Sequence, residues 1–187
     1  MHIALFERYL VLGCVDTPQL SDLKATLPNF PDEVLEDWLL PYAISEGWPP
    51  FGEDGAPRGS RWPYLLGKKP QDYWTSTNWS LHHGHIALDE LDPRTQESIA
   101  QMILAAAKGE ENLYSASIPD LKERFDRILS HLTSKGTLPG APTLLKHDDG
   151  YRVVDGNHRI AAYTFYWHLA KARGLVVQPQ RFWVGAT

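Results

Sequence analysis

Cysteine is nearly absent from this chain, since Cys14 is the single one among 187 residues. One thiol cannot form an intrachain disulfide, so a buried core and not a covalent framework must hold the fold. Long apolar runs are also missing, because no stretch approaches the roughly 18 residues that suggest a membrane-spanning helix. These absences predict a single cytoplasmic domain, of a size that buries a core without cross-links.

Basic charge is scarce overall but unevenly placed. The formal net charge is −5, and residues 1–50 hold eight acidic and two basic side chains. Residues 135–187 reverse this balance, with seven basic and three acidic side chains. A protein that coats nucleic acid is usually basic throughout, because phosphate neutralisation dominates that affinity. The pattern instead predicts a local positive face near the C-terminus, suited to an anionic ligand.

The order of apolar patterns predicts an α+β fold. Residues 1–50 have helical periodicity, and residues 47–80 are rich in glycine and proline and predict a long irregular connection. From residue 86 onward the expected order is a strand, two helices, a hairpin that turns at residues 148–150, a helix and a strand. We therefore expect a helical extension and loop over residues 1–80 and a core over residues 81–187, packed as one compact unit.

The segment GYRVVDGNHRIAAY, residues 150–163, places charged side chains where a strand becomes a helix. We call its residues 155–159 the DGNHR turn. Gly156 is free to adopt conformations closed to other residues, and the first amides of the helix have no partner within it. The helix dipole disfavours a cation such as Arg159 there, and a bound phosphate would resolve that conflict. In the alternative interpretation, Asp155 caps the helix and Arg159 pairs with it.

The sequence GYRVVDGNHRIAA resembles the signature turn of the ParB/sulfiredoxin superfamily. The earlier segment IALDELDP is similar to the opening strand motif of the same superfamily, so the resemblance spans about residues 86–184. It implies a ParB/sulfiredoxin-like small mixed sheet with helices, whose turn binds nucleoside phosphates. Members of the superfamily include nucleotide-hydrolysing, phosphotransferase and nuclease proteins.

Departures from the superfamily pattern narrow what the resemblance implies. Asn157 stands where sulfiredoxins carry a cysteine, which argues against sulfinic acid repair. Thirteen residues follow Gly174, too few for the helix-turn-helix domain of segregation-type ParB proteins. The length and the helical extension resemble the small plasmid-encoded fertility-inhibition proteins of this superfamily, the Osa type. Those proteins are associated with ATP hydrolysis, DNA cleavage and blocking of DNA transfer through a type IV secretion channel.

The resemblance assigns roles to residues of this chain. ATP, or another nucleoside triphosphate, is expected at the DGNHR turn, with Mg²⁺ or another divalent cation to offset charge. Carboxylates beside a phosphate site usually hold such a cation. The expected phosphate-binding residues are Gly156, Asn157, His158 and Arg159; the expected catalytic residues are Asp155, His158 and Glu90; the expected metal ligands are Asp89 and Glu90.

Three histidines, His82, His83 and His85, precede the predicted first strand. In an extended strand His83 and His85 would share a face, as two metal ligands must. Two imidazoles do not complete a zinc site, so an exposed histidine-rich strand is the favoured interpretation.

The glycine- and proline-rich connection mixes aromatic and basic side chains. Such a mixture can stack on and neutralise single-stranded nucleic acid, or its tryptophans can cover the open side of a small domain. The tryptophans are Trp48, Trp62, Trp74 and Trp79, and the cations expected to contact nucleic acid are Arg58, Arg61, Lys68 and Lys69.

The leading expectation is a nucleotide-binding enzyme of phosphoryl chemistry, an ATPase, a DNase or both. One alternative is a non-catalytic protein that blocks a type IV secretion or DNA-transfer machine, with its acidic N-terminal helices as the partner surface. A second alternative is a metal-dependent DNase that needs no nucleotide. The expected partners are nucleotide, DNA and components of a secretion system, in the cytoplasm or at the inner membrane through a partner.

Overall fold

A four-stranded mixed sheet forms the framework of the computed structural model, which describes residues 17–187. Cys14 and the rest of residues 1–16 lie outside the described part. The strands are β1 (Asn78–Gly84), β2 (Thr143–His147), β3 (Gly150–Asp155) and β4 (Gln180–Ala186), in the spatial order β1-β4-β2-β3. β4 runs antiparallel to β1 and parallel to β2, and β2 forms an antiparallel hairpin with β3. The expected α+β class is confirmed.

Nine α-helices accompany the sheet within residues 17–187. Between α2 and α3 the chain makes a π-helical turn (Leu35–Leu39), so residues 32–46 form one continuous helical segment. The helices are α1 (Leu20–Thr26), α2 (Asp32–Val34), α3 (Leu40–Glu46), α4 (Trp62–Leu65), α5 (Gln71–Ser76), α6 (Pro93–Lys108), α7 (Leu113–Ser117), α8 (Leu121–Lys135) and α9 (Asn157–Ala172). Among the described helices, none is long and apolar enough to cross a bilayer.

The larger hydrophobic core lies between one face of the sheet and helices α6, α8 and α9. Alternate strand residues point to opposite faces, and Leu144, Val153, Phe182 and Val184 all belong to this core. Tyr163 of α9 is fully buried, and its ring packs edge-on against Phe182 with 6.1 Å between centroids. This packing fixes the direction in which α9 leaves the DGNHR turn.

A second core covers the other face of the sheet with the N-terminal helices. Leu145, Trp79 and Trp183 pack there against an aromatic cluster centred on Phe30. Trp38 and Trp74 of that cluster are each 1% exposed and meet edge to face at 5.7 Å. The N-terminal helices are therefore one layer of the same sandwich as the sheet.

Opposite charges also join the N-terminal layer to the sheet. Glu33 accepts hydrogen bonds from Arg181 at 2.8 Å and from the indole of Trp183 at 3.1 Å. One helical turn further along, Asp37 lies 3.8 Å from Arg159. Two acidic side chains of the N-terminal layer thus face two basic side chains of the C-terminal part, which offsets some of the uneven charge.

The start of the sheet differs from expectation. β1 covers Asn78–Gly84, whereas the segment expected to form the opening strand from residue 86 instead makes a 3-10 turn (Leu88–Glu90). Leu91 then makes a single parallel bridge to Tyr151, so this segment crosses from β1 to the start of β3. Asp92 caps α6, since its carboxylate accepts from the Thr95 amide at 2.9 Å. The connection over residues 47–80 is less irregular than expected, because it contains α4 and α5.

Candidate functional site

The DGNHR turn joins β3 to α9 as the sequence predicts. Asp155 ends β3, Gly156 adopts a left-handed conformation with φ of +88°, and α9 begins at Asn157. Because Gly156 is the N-cap, the helix has no capping side chain. Among residues 17–187, no group accepts a hydrogen bond from the first three amides of α9, those of residues 157–159. Unpaired amides at a helix N-terminus are the usual elements of an anion site.

Arg159 folds back over the turn and is already paired. Its Nη2 donates to Asp155 at 2.5 Å, its Nη1 donates to the carbonyl of Pro139 at 3.4 Å, and Asp37 lies 3.8 Å away. The guanidinium side chain is 16% exposed. The pairing of Arg159 with Asp155 is thus confirmed, whereas the alternative was wrong to make Asp155 the cap.

Gly140 and Gly156 leave the space that the Arg159 guanidinium occupies. A Cβ atom on Gly156 would lie 2.9 Å from Nε, and one on Gly140 would lie 2.8 Å from Nη1. Both glycines also have positive φ, +88° and +78°, which side chains with a Cβ rarely adopt. The backbone therefore approaches the guanidinium as closely as only glycine permits.

Asp155 is an unusual carboxyl group despite its arginine partner. Burial raises its pKa above the ordinary value, Arg159 opposes that shift, and the charge of Asp37 adds to the rise. The net direction is upward. Asp155 therefore takes up a proton more readily than a solvated aspartate.

His158 turns toward the start of α8. Burial lowers its pKa, the charge of Arg124 lowers it further, and Asp120 partly opposes both. Its Nε2 is buried and has no hydrogen-bond partner among residues 17–187. The lowered pKa favours the neutral imidazole at pH 7, which is the form that accepts a proton. The Asp120–Arg124 ion pair at 2.6 Å was not foreseen beside the turn, although its i,i+4 spacing was visible in the sequence.

Glu90 and Asp89 do not lie where the sequence placed them. They belong to the 3-10 turn, and the Glu90 carbonyl lies within 2.7 Å of where a Cβ on Gly150 would be. Gly150 begins β3 and Asp155 ends it, so about 16 Å of extended strand separates the backbones of Glu90 and Asp155. The Glu90 side chain instead accepts from the Ala87 amide at 2.6 Å.

No metal site is assembled by the expected ligands. Within residues 17–187, no three histidine, cysteine, aspartate or glutamate side chains cluster closely enough to hold a cation. Asp89 and Glu90 thus lack a third protein ligand, and a divalent cation at the turn stays a prediction.

β1 contains His82 and His83 and ends at Gly84, one residue before His85. His83 pairs in register with Arg181, whereas His85 lies beyond the strand and its Nδ1 is 2.7 Å from the Tyr163 hydroxyl. The His85 ring also stacks on Trp167 at 5.0 Å. His82, His83 and His85 are all exposed, as the favoured interpretation of an exposed histidine-rich strand expects, although His85 lies outside β1. Around them lies a cleft of about 210 Å³, whose lining includes His82, His83, His85, Glu90 and Phe182.

The tryptophans of residues 47–80 serve packing. Trp62 and Trp74 are 2% and 1% exposed, so they cannot stack on bases, and the covering interpretation holds for them. Trp48 and Trp79 pack against the same core. The basic residues around them are at the surface, in three local arrangements: Arg58 pairs with Asp54, Arg61 lies over the Tyr42 ring and Lys69 lies over the Tyr73 ring. Lys68 has a positive φ of 58°. Contact of these four cations with nucleic acid stays a prediction.

Comparison with protein-family models, curated proteins and solved structures finds no match to this chain. The DGNHR turn and the segments GYRVVDGNHRIAA and IALDELDP are therefore the features of the chain that support a functional proposal.

Proposed function

We propose that the protein binds a nucleoside triphosphate through the DGNHR turn and acts as a phosphohydrolase of the ParB/sulfiredoxin type. The observation that carries this proposal is the set of three unpaired amides at the start of α9, with Arg159 beside them. A phosphate can accept from those amides and gain from the helix dipole at the same position. ATP is the first candidate ligand, and DNA phosphodiesters are the second.

Binding requires Arg159 to exchange partners. A phosphate offers the guanidinium two oxygens in place of the single Asp155 oxygen that it contacts, and bidentate pairs are the stronger ones. The raised pKa of Asp155, caused chiefly by burial, eases the exchange because the released carboxyl can take up a proton. His158, kept neutral by burial, is the residue of the turn best suited to accept a proton from an attacking water.

Within residues 17–187 no three histidine, cysteine, aspartate or glutamate side chains cluster as metal ligands, and Mg²⁺ is usually held by one or two carboxylates together with substrate phosphates. A divalent cation belongs here to the nucleotide complex that binds, and the protein's own share is the positioning of phosphate by amides and guanidinium.

The test is ATP binding by the wild type and by Arg159→Ala, measured by isothermal titration calorimetry. Charge-assisted hydrogen bonds contribute about 1.5–3 kcal/mol, so the variant should bind roughly 10- to 100-fold more weakly. Arg58→Ala is the matched control for ATP binding alone, since Arg58 also pairs with an aspartate four residues away on the exposed loop but belongs to the cations predicted to contact nucleic acid. Equal ATP affinity in wild type and Arg159→Ala would remove the proposal. Phosphate release reports ATP hydrolysis, and plasmid nicking with and without ATP separates the nucleotide-independent DNase.

The internal pairing of Arg159 favours a second candidate, a non-catalytic protein that blocks a secretion or DNA-transfer machine. If the Asp155–Arg159 pair is structural, then ATP should not bind, and inhibition of conjugative transfer should survive Arg159→Ala. Measuring both in the same variant distinguishes the two candidates.

A further inference from the structure

Asp37 comes from the N-terminal layer and is the one residue of that layer seen beside Arg159 among the described ion pairs. It lies on the π-helical turn, a feature that is often found at functional sites. Its neighbours Trp38 and Leu39 are 1% and 0% exposed and anchor the turn in the second core. The backbone of Asp37 is therefore fixed, while its side chain is 44% exposed and faces the guanidinium.

Two carboxylates thus share one guanidinium. Asp155 makes the direct hydrogen bond and Asp37 lies 3.8 Å from Nη1. With both ionised, the three groups carry a net charge of −1, and an approaching phosphate meets repulsion as well as attraction. Gly140 closes the same corner, since a Cβ on it would lie 3.2 Å from the Asp37 carboxylate.

We propose that Asp37 sets the anion affinity of the DGNHR turn by competing with phosphate for Arg159. The proposal rests on the proposed phosphate-binding function and adds the residue that opposes it. Asp155 must release Arg159 for phosphate to bind, whereas Asp37 can stay in place and still weaken the complex through its charge. The N-terminal layer therefore tunes the site as well as covering the sheet.

The variant Asp37→Asn removes the charge and keeps the shape. An exposed ion pair contributes about 0.2–1 kcal/mol, so neutralising Asp37 should tighten binding of ATP and of inorganic triphosphate by about 1.4- to fivefold. The gain should shrink between 50 and 300 mM salt, because exposed charges are screened. Asp37→Glu keeps the charge and should bind as the wild type does.

Glu36→Gln is the matched control. Glu36 is the preceding residue of the same π-helical turn and is exposed, and it makes no ion pair among residues 17–187. Its neutralisation changes the net charge of the protein by the same amount, so it should leave binding within error of the wild type. Thermal unfolding of each variant verifies that the fold is kept.

The outcomes separate this inference from the function on which it rests. Tighter binding by Asp37→Asn alone supports competition by Asp37. Equal binding by Asp37→Asn and Glu36→Gln, with ATP still lost in Arg159→Ala, overturns the inference and leaves the phosphate site intact. Weaker binding by Asp37→Asn also overturns it, since Asp37 would then orient Arg159 for the anion. If inorganic triphosphate and ATP bind to none of the proteins, the proposed function itself is wrong.

Discussion

Replacement of Gly156 by alanine perturbs the DGNHR turn at its tightest point. The left-handed conformation costs a residue with a Cβ about 1–2 kcal/mol. The new Cβ would also lie 2.9 Å from Nε of Arg159 and 3.0 Å from Cβ of Pro142, so the guanidinium must shift away from Asp155. Part of a charged hydrogen bond is lost as well, and the combined cost should be about 3 kcal/mol.

Gly109→Ala separates the cost of the left-handed conformation from the cost of displacing Arg159. Gly109 ends α6 with φ of +71°, and a Cβ there would meet nothing within 4 Å. That variant should lose only the conformational term, about 1 kcal/mol. For a chain of this length each kcal/mol lowers Tm by about 2–4 °C, so Gly156→Ala should melt roughly 5 °C below Gly109→Ala. Equal melting temperatures in differential scanning calorimetry would show that the Arg159 guanidinium does not pack against Gly156.

Two further predictions concern the titration of His158 and the burial of Trp74. The pKa of His158 is lowered by burial and by Arg124, so below pH 6.5 the folded state binds fewer protons than the unfolded state, and stability falls on acidification. His158→Gln should reduce the dependence of the free energy of unfolding on pH just below pH 6.5, as measured by urea denaturation. An unchanged pH dependence would contradict the buried position of His158 beside Arg124. Trp74→Ala should cost about 3–5 kcal/mol because Trp74 is 1% exposed. Tyr64→Ala, at an 82% exposed site, should change stability by less than about 0.5 kcal/mol. A loss of stability below about 1 kcal/mol in Trp74→Ala would contradict the burial of Trp74.

The C-terminal part of the fold could be predicted because its signals are local. The hairpin turn at residues 148–150, the glycine at position 156 and the apolar stripe of α9 each depend on neighbouring residues alone. The pairing of Arg159 with Asp155 is also local, since the two are four residues apart on the chain. Local spacing therefore led directly to the DGNHR turn.

The long-range part of the site was beyond such patterns. Asp37 and Arg159 are 122 residues apart in the sequence, and the spacing of residues reveals neither their contact nor the position of Arg124 beside His158. The first strand was misplaced because its sequence NWSLHHG is polar and mostly exposed at an edge of the sheet. Strands with one solvated face and little hydrophobic content give weak alternation. Because the first strand ends before residue 86, Glu90 lies beside the start of β3 and away from the DGNHR turn.

The most direct test of a phosphate site at the DGNHR turn is an ATP titration of ¹⁵N-labelled protein followed by amide NMR. The largest shift changes should fall on Asn157, His158 and Arg159, whose N–H groups have no partner among residues 17–187. Saturation should follow the affinity measured by calorimetry. Changes concentrated at the cleft around His85, or no changes at millimolar ATP, would contradict the account.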